Sequence, residues 1–304
     1  MKHNEIVSHL QGIFPPVVTP FNGRGRVDEG AFRSNLQRCT GIGLSGVVVA
    51  GSNGEAPYLS DRERLRLVEL ARRIVRPPEL LIAGTGLEAT AQTLKLSREA
   101  VARGADAVLV LPPAYYKSGM RPDILEAHFR VIADGLRRPL LIYSIPQFTG
   151  FSLDPGMLAK LSRHANIPGM KESSGNLDFD GTILSKARPK FRLLLGSAVA
   201  MLDGLKEGAS GAVLSQANFV PQLCLGIYEA FRQKDFKTAE LLHTRLLLIV
   251  REVTGPYGVA GVKAALDACG CRGGDPRLPL QPVGMGVRRR IATALKRACA
   301  GLDV

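Results

Sequence analysis

Apolar residues in this chain come in short, nearly unbroken runs, separated by stretches whose apolar positions recur at helical spacing. Eight runs stand out: Gly12–Pro20, Gly46–Ala50, Leu80–Gly84, Ala107–Leu111, Leu140–Tyr143, Ile167–Lys171, Phe191–Leu195 and Gly211–Leu214. Most are continuous β-branched or leucine runs, the pattern of parallel strands covered on both faces. The intervening stretches carry helix signals. Ser60-Asp61-Arg62-Glu63 has capping-box spacing and is followed by Leu65, Leu67, Val68, Leu70 and Ala71. Asp154-Pro155 places an N-cap before a proline at the first helical position. Glu88 to Ala102 reads as another helix, ending at Arg103-Gly104.

Eight strands alternating with helices predict an α/β fold, a (β/α)8 TIM barrel, over residues 1–220. Pro221 to about Cys269 reads as further helix, followed by a Gly- and Pro-rich loop and a final basic helix. Residues 221–304 are therefore expected to form a C-terminal helical extension packed on the barrel. A doubly wound sheet is the weaker alternative. Gly51-Ser52-Asn53-Gly54-Glu55 has neither the Gly-x-Gly-x-x-Gly spacing nor the Lys-Ser/Thr ending of a phosphate loop.

Composition narrows the classes. Apolar residues make up 45% and aromatics 6% of 304 residues, as befits a water-exposed α/β protein with a large core. No apolar run approaches the roughly 20 residues of a membrane helix. The N-terminus, Met1-Lys2-His3-Asn4-Glu5, lacks an apolar signal core, so a cytoplasmic location is expected. Cys39, Cys224, Cys269, Cys271 and Cys299 are odd in number and scattered, so reduced thiols are expected rather than a zinc site. The net charge of +13 is spread over helices, as in Arg62, Arg64, Arg66, Arg72 and Arg73, with a denser run at Arg288–Arg290. Without interleaved aromatics or a groove-reading motif, this reads as solvated helix faces and no nucleic-acid site.

In a barrel, chemistry collects at the carboxyl ends of the strands. The second strand delivers Ser52 and Asn53 on a glycine-flanked turn suited to a carboxylate, and the fourth delivers Tyr115 and Tyr116 after Pro112-Pro113. The fifth delivers Tyr143, the sixth Lys171, and the seventh Gly196-Ser197. A lysine at the end of an apolar strand is a candidate nucleophile. Burial disfavours its ammonium form, and the neutral amine attacks carbonyls to form a Schiff base. No histidine or acid cluster is expected at a strand end. His128 and His164 fall on predicted helices as surface residues, and Asp178 and Asp180 find no further metal ligands. The inventory favours covalent amine catalysis over metal or triad chemistry.

Several motifs in one order carry a resemblance: Gly12–Phe21, Gly51–Glu55, Pro113–Tyr116, Tyr143–Pro146 and Gly169–Lys171. With them the chain resembles the dihydrodipicolinate synthase/N-acetylneuraminate lyase family of class I, pyruvate-dependent aldolases over nearly its whole length. The resemblance implies a (β/α)8 barrel with a C-terminal helical extension, assembled as a homotetramer, a dimer of dimers. It implies no metal or organic cofactor, because the lysine imine is the electron sink. A 2-oxo acid with a pyruvate moiety is the implied partner.

By the same resemblance, Lys171 is the Schiff-base lysine and Tyr143 the proton-shuttling tyrosine. Ser52 stands where a threonine usually links that tyrosine to a second one, here Tyr116, which reaches into a neighbouring subunit's site. Ser52 and Asn53 match the pyruvate-carboxylate residues, Val213 a position whose carbonyl faces the lysine, and Ser173 one that seats the distal part of the substrate. One departure bears on specificity. Synthases of the family carry Gly-Arg-Thr after the tyrosine, and this chain has Gln147-Phe148-Thr149. The arginine that clamps a distal carboxylate is thus replaced by Phe148. The motif set looks closest to 4-hydroxy-2-oxoglutarate aldolase, which releases pyruvate and glyoxylate. Dihydrodipicolinate synthase is the alternative, and a sugar-acid aldolase or dehydratase comes third.

Overall fold

In the computed structural model, which describes residues 1–301, eight parallel strands lie in the order β1-β8-β7-β6-β5-β4-β3-β2. They are β1 (Gly12–Phe14), β2 (Gly46–Val49), β3 (Leu80–Gly84), β4 (Ala107–Val110), β5 (Leu140–Ser144), β6 (Gly169–Glu172), β7 (Arg192–Leu195) and β8 (Gly211–Val213). The remaining seam, between β1 and β2, is joined by Ser45 N–H to Ile13 O (3.0 Å), Val48 N–H to Pro15 O (2.9 Å) and Val17 N–H to Val48 O (2.9 Å). Pro15 and Pro16 have no N–H to donate, which limits that seam to isolated pairing. The predicted (β/α)8 barrel is observed.

Among the described residues, thirteen α-helices surround or extend it. They are α1 (His3–His9), α2 (Glu29–Cys39), α3 (Asp61–Arg72), α4 (Thr90–Ala102), α5 (Pro122–Asp134), α6 (Pro146–Thr149), α7 (Pro155–Leu161), α8 (Leu177–Lys186) and α9 (Met201–Lys206), then α10 (Pro221–Arg232), α11 (Phe236–Ile249), α12 (Gly255–Ala268) and α13 (Met285–Ala298). The predicted caps form. Ser60 accepts from Glu63 N–H while Glu63 returns a bond to Ser60 N–H, and Asp154 accepts from Met157 N–H. Helix α4 starts two residues later than Glu88, whose carboxylate instead accepts N–H groups of Ala114 and Tyr115 and holds the exit of β4. Helix α10, after β8, packs on β1.

Why the strands read as unbroken apolar runs is visible in the two cores. Inward residues Phe14, Val48, Leu80, Ile82, Leu109, Leu141, Tyr143, Leu194 and Val213 fill the barrel, with Ile6 and Leu10 of the α1 segment packed among them. Outward residues such as Val47, Val49, Leu81, Val110, Ile142, Met170, Leu193 and Leu195 pack under the helices. Both faces of each strand are thus apolar, each fully buried Leu, Ile or Phe contributing about 1.5–3 kcal/mol. Strand alternation then fixes side-chain direction: with Met170 outside, Lys171 must point in and Glu172 out.

Three expectations change. His128 is buried on α5, its Nδ1 2.8 Å from Thr90 Oγ1, and burial pushes its pKa down to about 4. His164 lies in the turn after α7, largely covered and 2.8 Å from Asp134. Arg64 is buried rather than solvated, because its guanidinium is recruited to Ala56 O at 2.7 Å. The cysteines, scattered in sequence, are partly gathered in space: Cys39, Cys269, Cys271 and Cys299 line one cavity of about 280 Å³. All five are free thiols, and burial pushes Cys39 up to about 12 and Cys269 to about 11. The Arg288–Arg290 run is partly neutralised by its own fold, Arg288 pairing with Asp267 at 2.8 Å.

Candidate active site

Lys171 and Tyr143 are register partners on adjacent strands β6 and β5. Both point into the barrel near its carboxyl-end mouth, where Lys171 is 5% and Tyr143 3% exposed. A buried amine and a buried phenol each need a partner. They supply one another: Lys171 Nζ donates to Tyr143 Oη at 3.1 Å and lies 4.2 Å from the ring centroid. Ser52 Oγ lies 3.2 Å from the same phenolic oxygen. The result is a continuous Lys171–Tyr143–Ser52 chain across three strand ends.

The turn that carries Ser52 is tightly made. Glu55 N–H bonds Ser52 O at 3.0 Å, and Ala50 and Glu55 both adopt left-handed φ, 54° and 57°. Those conformations cost non-glycine residues stability and persist where surroundings impose them. Gly84, ending β3, is one such surrounding: a Cβ there would sit 2.1 Å from Ala50 O. Asn53 is half-buried in the same turn. Val213 closes β8 and is buried among the residues that surround Tyr143.

Ser173, immediately beyond β6, is buried, and its Oγ has no hydrogen-bond partner among the described residues. Its backbone is fixed by N–H to Ser144 O (3.0 Å) and by Gln147 Nε2 to its carbonyl (2.8 Å). Gly196 makes room for it, since a Cβ there would overlap Ser173 Oγ. An unsatisfied buried hydroxyl costs about 1–3 kcal/mol.

Two predicted residues stand apart. Tyr116 is 74% exposed on the β4 exit and packs edge-on against Tyr115 at 5.0 Å; within its own chain it does not reach Tyr143. Phe148 is 70% exposed on α6, and Lys117 packs its amine against Gly150 in the same rim.

Two acids that the sequence did not bring together pair outside the barrel. Behind Lys171, on the outer side of the wall, Glu172 accepts Ser174 N–H at 2.9 Å and Ser144 hydroxyl at 3.3 Å. Asp180 of α8 is fully buried beside it. Burial, then the charge of Glu172 and a hydrogen bond to it, push the Asp180 carboxyl up to about 7. A protonated Asp180 can donate to Glu172, which satisfies oxygens that otherwise have no donor. Asp178, two residues away, is exposed. Among the described residues no group of three or more His, Cys, Asp or Glu is arranged to hold a metal ion.

Residues 9–298 match the model of the dihydrodipicolinate synthetase family. The chain belongs to that family. It is accordingly a pyruvate-dependent class I aldolase, a carbon–carbon lyase. Among its relatives, the 4-hydroxy-tetrahydrodipicolinate synthase of Methanothrix thermoacetophila is 35% identical over 90% of this chain and 92% of its own. The solved 4-hydroxy-tetrahydrodipicolinate synthase of Methylacidiphilum fumariolicum SolV superposes with a TM-score of 0.89 at 29% identity, covering 95% of each chain. A prophage protein of this family from E. coli K12, solved in complex with pyruvate, matches with a TM-score of 0.89 at 27% identity over 95% of this chain and 98% of its own. These relatives support the alternative reading, dihydrodipicolinate synthase, better than the 4-hydroxy-2-oxoglutarate aldolase expected first.

The acid pair has a consequence for stability. The Asp180 carboxyl is raised in the folded chain above its ordinary 3.8, so folding takes up a proton as pH rises from about 4 to about 7. The folded state therefore loses stability across that window, by on the order of 2–3 kcal/mol between pH 5 and 8. Asp180→Asn keeps a donor toward Glu172 and removes the titration. Thermal melts at pH 5 and pH 8 should show the variant gaining on the wild type at pH 8 only; an equal difference at both pH values contradicts the assignment.

Proposed function

We propose that Lys171 captures a 2-oxo acid as an imine and that Tyr143 moves the protons of the reaction. The observation that carries this reading is the buried contact of 3.1 Å between the amine and the phenol at the strand ends. The amine adds to the keto carbon, and loss of water leaves a protonated imine. Removal of a C3 proton gives an enamine, whose carbon attacks the acceptor aldehyde. In reverse, a base takes the proton of the 4-hydroxyl as the C3–C4 bond breaks, and the electron pair flows into the imine. Ser52, 3.2 Å from the phenol, orients it and with Asn53 receives the substrate carboxylate. The Val213 carbonyl, at the end of β8, faces the adduct. Ser173, with its unpaired hydroxyl, receives the far end of the substrate.

For the acceptor, we take aspartate semialdehyde, the 4-hydroxy-tetrahydrodipicolinate synthase reaction. It is supported by the relatives and by Lys117, a cation at the rim where a distal carboxylate would lie. Phe148 favours a second reading, cleavage of 4-hydroxy-2-oxoglutarate. It offers no donor, and charged hydrogen bonds contribute roughly 1.5–3 kcal/mol each, whereas glyoxylate is small enough to be served by Ser173 or Ser52. Tyr116, exposed on its own chain, completes a neighbouring subunit's site in a homotetramer. Residues 221–304 are proposed as an extension that supports the barrel, 1–220, with 302–304 lying outside the described residues.

With pyruvate alone in D2O, the wild type should exchange the methyl protons of pyruvate, and Lys171→Arg should not, since a guanidinium stays protonated. Tyr143→Phe should exchange about 10²-fold more slowly or worse. A Lys171→Arg chain that exchanges normally overturns the reading.

Steady-state comparison separates the acceptors. Condensation with aspartate semialdehyde should exceed cleavage of 4-hydroxy-2-oxoglutarate in kcat/KM, and Phe148→Arg should raise it further, by about tenfold or more. The opposite preference makes the second reading the better one.

Assembly is checked by mixing inactive Tyr116→Phe chains with inactive Lys171→Ala chains under conditions where subunits exchange. Hybrid sites should recover part of the activity; no recovery confines Tyr116 to its own chain.

A further inference from the structure

The turn that carries Ser52 and Asn53 ends on Glu55, whose side chain points away from the solvent into the seam between the barrel mouth and the C-terminal helices. There it meets Lys263 of α12, Oε1 to Nζ at 2.6 Å, with each side chain only 1% exposed. Lys263 also donates to Asp275 O at 3.0 Å and lies 4.5 Å from the ring centroid of Phe21. The second oxygen of Glu55 accepts the Arg277 N–H at 2.8 Å. The Arg277 guanidinium in turn covers Phe21, 4.2 Å from its centroid, and grips Glu63 at the start of α3 at 2.7 Å. Both carboxylate oxygens of Glu55 are thus held by residues more than 200 positions away in sequence.

Backbone packing brings those residues close. Gly273 lies against Lys263 O and Gly274 against Phe21 O, where added Cβ atoms would sit 2.1 and 2.9 Å away, and Gly274 has φ +69°. Glu55 itself is left-handed at φ 57°. A buried ion pair is seldom a net source of stability, because desolvation of both charges offsets their attraction. Burial indeed draws the Lys263 pKa down while Glu55 pulls it up. The pair fixes geometry, and the geometry it fixes is that of the turn.

We infer that Glu55 and Lys263 are positioning residues for substrate: through this buried ion pair the C-terminal extension sets the Ser52–Asn53 turn to receive the carboxylate of the 2-oxo acid. The inference rests on the carboxylate site proposed above. Neither residue touches substrate. Lys171 and Tyr143 are held mainly by the registry of β6 with β5, and the Ser52 hydroxyl, 3.2 Å from the phenol, is their one hydrogen bond to the turn. Loss of the pair should therefore weaken 2-oxo acid binding more than the chemical step.

Removing one partner strands a buried charge, so the informative variant removes both: Glu55→Gln with Lys263→Met. Glu55→Asp, which keeps both charges and shortens the reach by one methylene, guards against a double variant that fails to fold. Each is measured by thermal melting, by KM for pyruvate and kcat, and by borohydride labelling against pyruvate concentration. Variants that melt cooperatively should still label Lys171 at saturating pyruvate and keep kcat within about threefold. Their KM and half-labelling concentrations should rise about tenfold, the loss expected of a displaced charged hydrogen bond. An unchanged KM in a folded variant overturns the inference, as does a fall in kcat with KM unmoved. Wild-type enzyme that never labels at Lys171 is a different failure, that of the proposed function itself.

Discussion

Inside a barrel filled with leucine, valine and phenylalanine, an amine is tolerated only where something satisfies it. Tyr143 is the one side chain that hydrogen-bonds the Lys171 amine among the described residues, and it can do so because parallel pairing of β5 with β6 sets the two residues side by side. A shift of either strand by one residue would turn its side chain into the outer core. The Ser52 contact, the place left for Ser173 and the packing of Val213 in the cluster with Tyr143 all presuppose that register. The outer apolar layer, from Val47 to Leu195, is what holds it.

This dependence explains how much could be read from the chain. Unbroken runs on both faces mean a parallel sheet under helices, and eight of them mean a closed one. The position of Lys171 at the end of a run is then a position at the mouth. Ser52 and Tyr143 were legible for the same reason, being strand-end residues in a fold whose chemistry gathers there. The motifs added the roles.

What escaped was contact between distant segments. Asp180 showed no partner in sequence, yet α8 buries it against Glu172. Lys263 sits in a run of small residues, Gly261 to Ala265, that gives no sign of a carboxylate partner at Glu55. His128 was read as a surface residue of a helix, although its face of α5 carries Leu125, Phe129 and Ile132. The convergence of four cysteines on one cavity likewise depends on α13 returning to α2. Pairings of this kind join segments that no local pattern relates. Specificity was harder still: Phe148 is visible as a departure, but the Lys117 amine beside Gly150 is a feature of the folded rim alone.

The account stands or falls on the identity of the amine. Borohydride reduction in the presence of pyruvate, followed by peptide mass analysis, reads it directly. One peptide, the one containing Lys171, should gain the mass of a reduced pyruvate adduct, with Lys263 unmodified. An adduct on any other lysine, or none at saturating pyruvate, would contradict it.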